Sequence, residues 1–152
     1  MRRSDREIRD RAEIDDIIRS SQVFRLSLSD NGRPYIVPLC FGYDGKALYF
    51  HCAGQGKKLD IIRKNREVCF EFDIVEGMLE AEHACDWGVR YRSVIGFGTA
   101  LILEDISEKE HGLNHLMAHY ANRSFSFPPK KTALTTVVKI EIHELTGKRS
   151  AP

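Results

Sequence analysis

Residues 23–29 alternate Phe24, Leu26 and Leu28 with polar neighbours, and Asp30-Asn31-Gly32 follows at once. Period-two alternation is the signature of a strand with one buried face. Asn-Gly is the strongest short signal for a tight hairpin. Together they commit the chain to an antiparallel sheet, because a strand that turns back so soon has no room for a crossover helix. The pattern then repeats. Residues 35–41 read as a second strand, and Pro38 inside it removes a ladder donor, which predicts an edge or a bulge. Tyr43-Asp44-Gly45-Lys46 turns the chain again, and residues 47–52 complete a three-strand meander.

The rest of the chain supplies more strands and the helices to cover them. Asp10-Arg11-Ala12-Glu13 has the D-x-x-E form of a capping box. Ile14, Ile17 and Ile18 then share one helical face as far as about Ser20. A short helix is expected over 59–64 and a fourth strand over 68–73. Residues 74–90 are irregular in pattern and hold Trp87, His83, Cys85 and Asp86. A long strand over 91–104 carries Gly96 and Gly98, which predict a bend or a close approach by another group. A helix is expected from Ser107 to about Tyr120, a proline-containing loop over 124–131, a sixth strand over 135–143, and a tail from Glu144 to Arg149. Residues 1–9 read as an N-terminal arm. Six mostly antiparallel strands with interspersed helices define an α+β domain, a closed or nearly closed barrel with helices packed around it.

Composition narrows the function. The chain has 152 residues, which suits a single domain over 1–152. Its 23 basic and 22 acidic residues give a formal net charge of +1, so nothing points to a polyanion partner such as nucleic acid. No apolar run approaches the roughly 20 residues that span a bilayer. The four cysteines form no C-x-x-C pair and the charged N-terminus lacks an apolar run. Reduced thiols and a cytoplasmic location are the expectation.

Four constellations could carry chemistry. Gly54-Gln55-Gly56-Lys57-Lys58 follows a strand and opens a helix. The glycines let backbone N–H groups converge, the helix N-terminus adds unpaired donors, and the lysines add two charges. This makes a plausible phosphate site. It lacks the spacing of a P-loop or a dinucleotide fingerprint, so a mononucleotide phosphate fits best; a solvated turn is the alternative. His51, beside the turn, could contact a ring or substrate and titrate near neutrality, or simply lie in a polar patch. His111, His115 and His119 share a helical face. The outer pair spans roughly 12 Å, too far for one ion, and an i, i+4 pair needs a carboxylate or thiolate from elsewhere. That face therefore reads as a polar, solvent-facing stripe. His83 and Cys85 at i, i+2 diverge and lack an oxyanion loop, which argues against a nucleophile. Trp87 is either a wall over a flat ligand or a loop anchor.

In order and spacing, Pro34-Tyr35-Ile36-Val37-Pro38-Leu39, Tyr49-Phe50-His51-Cys52-Ala53-Gly54-Gln55-Gly56-Lys57-Lys58, Tyr91-Arg92-Ser93-Val94-Ile95-Gly96-Phe97-Gly98 and Thr146-Gly147-Lys148 resemble the Nim-type nitroimidazole-resistance proteins. These belong to the pyridoxamine 5′-phosphate oxidase-like, FMN-binding split-barrel superfamily. The resemblance implies a six-stranded split barrel and a homodimer with FMN at the interface. It implies that Tyr35, Ile36, Val37 and Pro38 run beside the isoalloxazine and that His51 and Cys52 lie near the ring and ribityl chain. Lys57 and Lys58 would hold the phosphate, and Ser93 would reach the flavin, often from the other subunit's side. His51 is the candidate catalytic residue.

The C-terminal signature of true pyridoxamine phosphate oxidases is not visible, which counts against vitamin B6 oxidation. The leading expectation is an FMN-dependent oxidoreductase, reduced by a nicotinamide donor and passing electrons to a small flat acceptor such as a nitroaromatic. The rivals are a non-catalytic flavin or small-ligand binding module, a pyridoxamine 5′-phosphate oxidase-type enzyme, and a metal-binding protein using the His111–His119 helix.

Overall fold

The computed structural model describes residues 3–121, 123 and 125–150. Residues 1 and 2 of the expected arm and Ser124 of the expected loop lie outside these. Among the described residues the order is β1 (Glu7–Ile8), α1 (Arg11–Ser20), β2 (Phe24–Asp30), β3 (Arg33–Leu39), β4 (Gly42–Tyr43), β5 (Ala47–Cys52), α2 (Lys57–Lys64), β6 (Glu67–Leu79), β7 (Gly88–Ile102), α3 (Ile106–Ala121), α4 (Pro129–Leu134) and β8 (Thr136–Arg149). The eight strands form one antiparallel sheet in the order β3-β2-β6-β7-β8-β5-β4, with β1 added on β8.

The α+β expectation holds, with eight strands in place of six. The additional strands are the two-residue β1 and β4, too short to show a period. β1 also corrects the arm: Glu7 and Ile8 pair with Lys148 and Gly147, and Ile8 is buried. Asn31 and Gly32 take φ of 51° and 86°, so Asn-Gly makes the hairpin turn its sequence demands. β3 is an edge strand, as Pro38 requires.

The sheet curls. Phe24 on β2 and Phe50 on β5 are four strand spacings apart in the sheet order, about 19 Å if the sheet were flat. Their ring centroids are 6.1 Å apart. Phe41, Phe70 and Phe72 join the same buried cluster. α1 contributes Ile14, Ile17 and Ile18 and α2 contributes Leu59, Ile61 and Ile62. Burying a side chain of this size stabilises by about 1.5–3 kcal/mol. α3 lies outside the barrel. Its Leu113 packs with Tyr49, Leu103 and Val137 in a second cluster.

Local signals were met with substitutions of partner. Asp10 caps α1 through Ala12 N–H at 2.9 Å, but Glu13 reaches across to Arg149 rather than back to the cap. Asp105 caps α3, accepting from Glu108 N–H at 3.0 Å, and the helix begins at Ile106, one residue before the expected Ser107. A Cβ on Gly98 would stand 2.3 Å from the Glu141 carbonyl oxygen, the close approach its place in a strand implies.

Residues 74–90 are irregular only in part: residues 74–79 and 88–90 are strand, and residues 80–87 form the connecting tip. β6 and β7 continue pairing from Val75↔Tyr91 to Leu79↔Gly88, with a bulge between Val75 and Gly77. Both faces of this extension are largely exposed, so no burial period marks it in the sequence. The tail is also strand, since β8 runs to Arg149, and α4 takes over the end of the expected 124–131 loop. Among the described residues no helix is long and apolar enough to cross a membrane.

Candidate functional site

The turn after β5 leaves backbone donors free. Gly56 precedes α2 at φ 132°, a conformation that side chains other than glycine rarely adopt. Its carbonyl accepts the N–H groups of Leu59 (2.9 Å) and Asp60 (3.1 Å). Among the described residues no side chain caps α2. The N–H groups at its start are therefore left to solvent or to an anion. Both lysines fold back over aromatic faces. Lys57 Nζ lies 4.7 Å from the Tyr35 ring centroid and Lys58 Nζ 5.2 Å from that of Phe50. The two charges are thus held where α2 meets the edge strand.

β3 presents its open edge to this corner. Proline has no N–H, so Pro34 and Pro38 occupy positions that do not bond to β2. By alternation Ile36 faces the open edge as well, in register between them. That edge offers one donor, Ile36 N–H, and the carbonyls of Pro34, Ile36 and Pro38. Tyr35, Val37 and Cys52 turn their side chains the other way, onto the barrel core. Burial pushes the Cys52 thiol up, and the charges of Lys58 and Arg63 pull it partly back.

Two predicted residues lie apart from this group. His51 is exposed and faces the opposite way from Cys52, on the side where Tyr49 meets α3. Ser93 pairs with Asp73 and Lys148 on β7. It shares the outer face of the barrel with the exposed Ile95 and Phe97, whereas its neighbour Val94 is fully buried. A cleft of about 410 Å³ lies on that outer face, lined by Ser27, Pro34, Cys69 and Phe97 among others. A cleft of about 550 Å³ lies elsewhere, among Glu13, Glu76, Arg92 and Arg149. Two of its arginines are already paired with its glutamates, at 2.8 Å for Arg149–Glu13 and 2.7 Å for Arg92–Glu76.

Trp87 donates its Nε1–H to the Ala81 carbonyl at 2.7 Å, which ties the β6–β7 tip, and its side chain stays exposed. His83 and Cys85 are exposed in the same tip. The histidine stripe on α3 is corrected in part: His115 and His119 are half-buried against protein, whereas His111 stays exposed to solvent. His119 Nε2 lies 2.8 Å from the Ser21 carbonyl oxygen, and its ring packs on Phe41 at 4.3 Å. His111 and His115 meet Asp44, in the turn between β4 and β5. The sequence marked Asp44 only as a turn residue; nothing local shows which side chains a turn carboxylate will face.

This architecture is that of a split-barrel protein of the pyridoxamine 5′-phosphate oxidase class. The family model described as pyridoxamine 5′-phosphate oxidase matches residues 10–149, and the chain belongs to that family. Among solved structures it is similar to a candidate 5-nitroimidazole antibiotic resistance protein of Bacteroides thetaiotaomicron, at 30% identity and TM-score 0.84, covering 94% of this chain and 86% of that one. It shares its fold with the flavocytochrome Anf3 of Azotobacter vinelandii (20% identity, TM-score 0.85, covering 100% of this chain and 72% of that one). It also shares it with an FAD and heme binding protein of Mycobacterium smegmatis (21% identity, TM-score 0.85, covering 97% and 74%). No curated protein sequence matches the chain.

Proposed function

We propose that this chain is a flavin-binding protein that holds FMN and acts as an oxidoreductase on a small flat acceptor such as a nitroaromatic. The observation that carries the reading is the uncapped, glycine-led start of α2 with Lys57 and Lys58, set beside the open edge of β3. The lysines and the helix N-terminus suit a phosphate dianion. The edge N–H and carbonyls suit the polar rim of an isoalloxazine. Bound flavin would supply the redox chemistry, fed by a reduced nicotinamide; the protein's share is to bind and orient it. Membership of the family and likeness to the B. thetaiotaomicron protein support the same reading.

Ser93 and His51 take part only if a second copy completes the site. Val75, Met78, Val89, Ile95 and Phe97, all exposed, share the outer face with Ser93, and the exposed Ile36 extends that face at the sheet's edge. Apolar surface on this scale favours burial against a partner. A homodimer built on this face would bring Ser93 of one protomer towards the Lys57 corner of the other.

The test begins with the visible spectrum of the purified protein and the mass of any released ligand, which separates FMN from FAD. Anaerobic bleaching by reduced nicotinamide and reoxidation by a nitroimidazole then establish turnover. A colourless protein that fails to take up FMN rejects the proposal. Uptake without bleaching leaves a binding module, the reading that the binding proteins of the same fold favour.

A further inference from the structure

We infer that Asp44, His111 and His115 form a mononuclear site for a borderline divalent transition-metal ion of the zinc class, separate from the flavin corner, with one coordination position open to an adjoining cleft.

The ligand atoms of these three residues all lie within 4.8 Å of one another. His111 and His115 are one helical turn apart on α3, and their ring centroids are 4.6 Å apart. His111 Nε2 is 3.5 Å from Asp44 Oδ2. Zn–N and Zn–O bonds of about 2.0–2.2 Å put tetrahedral ligands roughly 3.4 Å from each other. One pair already meets that spacing, and rotation of an imidazole brings in the third. Helical i, i+4 histidines plus one carboxylate from another element is a donor set that suits Zn(II), and also Co(II) or Ni(II).

The carboxylate is fixed by its own partners. Asp44 Oδ1 accepts the N–H groups of Lys46 (2.8 Å) and Ala47 (2.7 Å), while the Tyr49 hydroxyl donates to Oδ2 at 2.9 Å. Outer contacts of this kind orient a ligand before the ion arrives. Tyr49 also walls the site, stacking on His115 at 6.1 Å and meeting His111 edge-on at 5.5 Å.

A cleft of about 300 Å³ adjoins the site, lined by Tyr49, Leu103, Ser107, Glu108, His111 and Lys139. Three protein ligands beside such a cleft leave a fourth position for water or a small ligand, the arrangement of zinc sites that act as Lewis acids. The site lies outside the barrel: Tyr49 belongs to the cluster under α3, whereas Cys52 packs on the barrel core.

The experiment is equilibrium dialysis of the chelator-treated, full-length protein against Zn(II), with bound metal counted per chain. Co(II) then serves as a spectroscopic probe of coordination. Wild type binds one Zn(II) per chain, and Co(II) gives the intense visible bands of a four-coordinate ion. His111→Gln and His115→Gln each weaken binding by more than about 100-fold, and Tyr49→Phe by about tenfold, as expected for loss of an outer-shell partner. His83→Gln, in the exposed β6–β7 tip, binds as wild type does. If His115→Gln fails to fold, the exposed His111 carries the test. Wild type that retains no ion overturns the inference. So does binding that survives both ligand variants, which would assign the ion to exposed residues elsewhere. Flavin content is measured on the same samples, and its loss does not bear on the metal count.

Discussion

Replacing Lys57 and Lys58 together with alanine separates the phosphate of the proposed flavin from the rest of the ligand. A charge-assisted hydrogen bond contributes about 1.5–3 kcal/mol. Lys57 is exposed and solvent weakens its share, which places it at the lower end. Lys58 is half-buried above Phe50 and belongs at the upper end. The pair is then worth about 4.5 kcal/mol, roughly two-thousandfold in Kd.

Riboflavin shares the ring and ribityl chain but has no phosphate, so its affinity stays within a few-fold of wild type. The uncapped start of α2 remains in the variant and preserves a small preference for FMN. Both ligands are titrated by quenching of flavin fluorescence, at low salt and again with added sodium chloride. Salt shrinks the FMN advantage of wild type and leaves that of the double variant nearly unchanged. The lysines also contribute cation–π contacts of about 0.5–1 kcal/mol each, so thermal melting must show that the variant is folded. Equal losses for FMN and riboflavin, or an undiminished FMN advantage, refute the phosphate assignment.

Other consequences concern packing, thiols and assembly. A Cβ on Gly42 would stand 2.2 Å from Leu116 N and 2.5 Å from the His115 carbonyl carbon, backbone atoms that cannot rotate aside. Gly42→Ala therefore destabilises by about 3 kcal/mol or more in urea unfolding. Gly54→Ala, whose nearest contact is Thr136 Oγ1 at 3.6 Å, is nearly neutral, and equal stability of the two variants contradicts the α3 packing described. Cys40 and Cys85 are exposed, whereas Cys52 and Cys69 are half-buried. Burial raises both of the latter thiols, so a disulfide reagent modifies two cysteines quickly and two slowly. The slow pair gains most as pH rises towards the thiolate, and mass spectrometry that finds Cys52 among the fast pair defeats that assignment. Phe97→Glu puts a charge in the middle of the exposed apolar face. It should yield monomers in sedimentation and reduce flavin content; an unchanged dimer means that the interface lies elsewhere.

Much of the fold can be read from residues that act on their neighbours. Asn31-Gly32 sets a hairpin because both positions need positive φ, and Pro38 marks an edge because it has no N–H to give. Ile14, Ile17 and Ile18 define a buried helical face by spacing alone. The β6–β7 extension is invisible because neither of its faces is buried, so no hydrophobic period records it. β1 is two residues long and exists through pairing with β8, more than a hundred residues away in the chain.

The candidate site divides along the same line. Gly56, Lys57 and Lys58 are legible together because one turn carries glycine freedom, helix donors and charge within three residues. That Tyr35 stands under Lys57, or that Ser93 faces outward while the turn lies at the β3 edge, follows from how the sheet curls. The α3 histidines show the division most sharply. Their i, i+4 spacing is written in the sequence, and so is the need for a third ligand. Only the tertiary structure brings Asp44 to them, because the β4–β5 turn packs against α3 more than sixty residues later in the chain. Sequence determines what each residue can do with its neighbours; contacts between distant segments are decided by which surfaces are buried together.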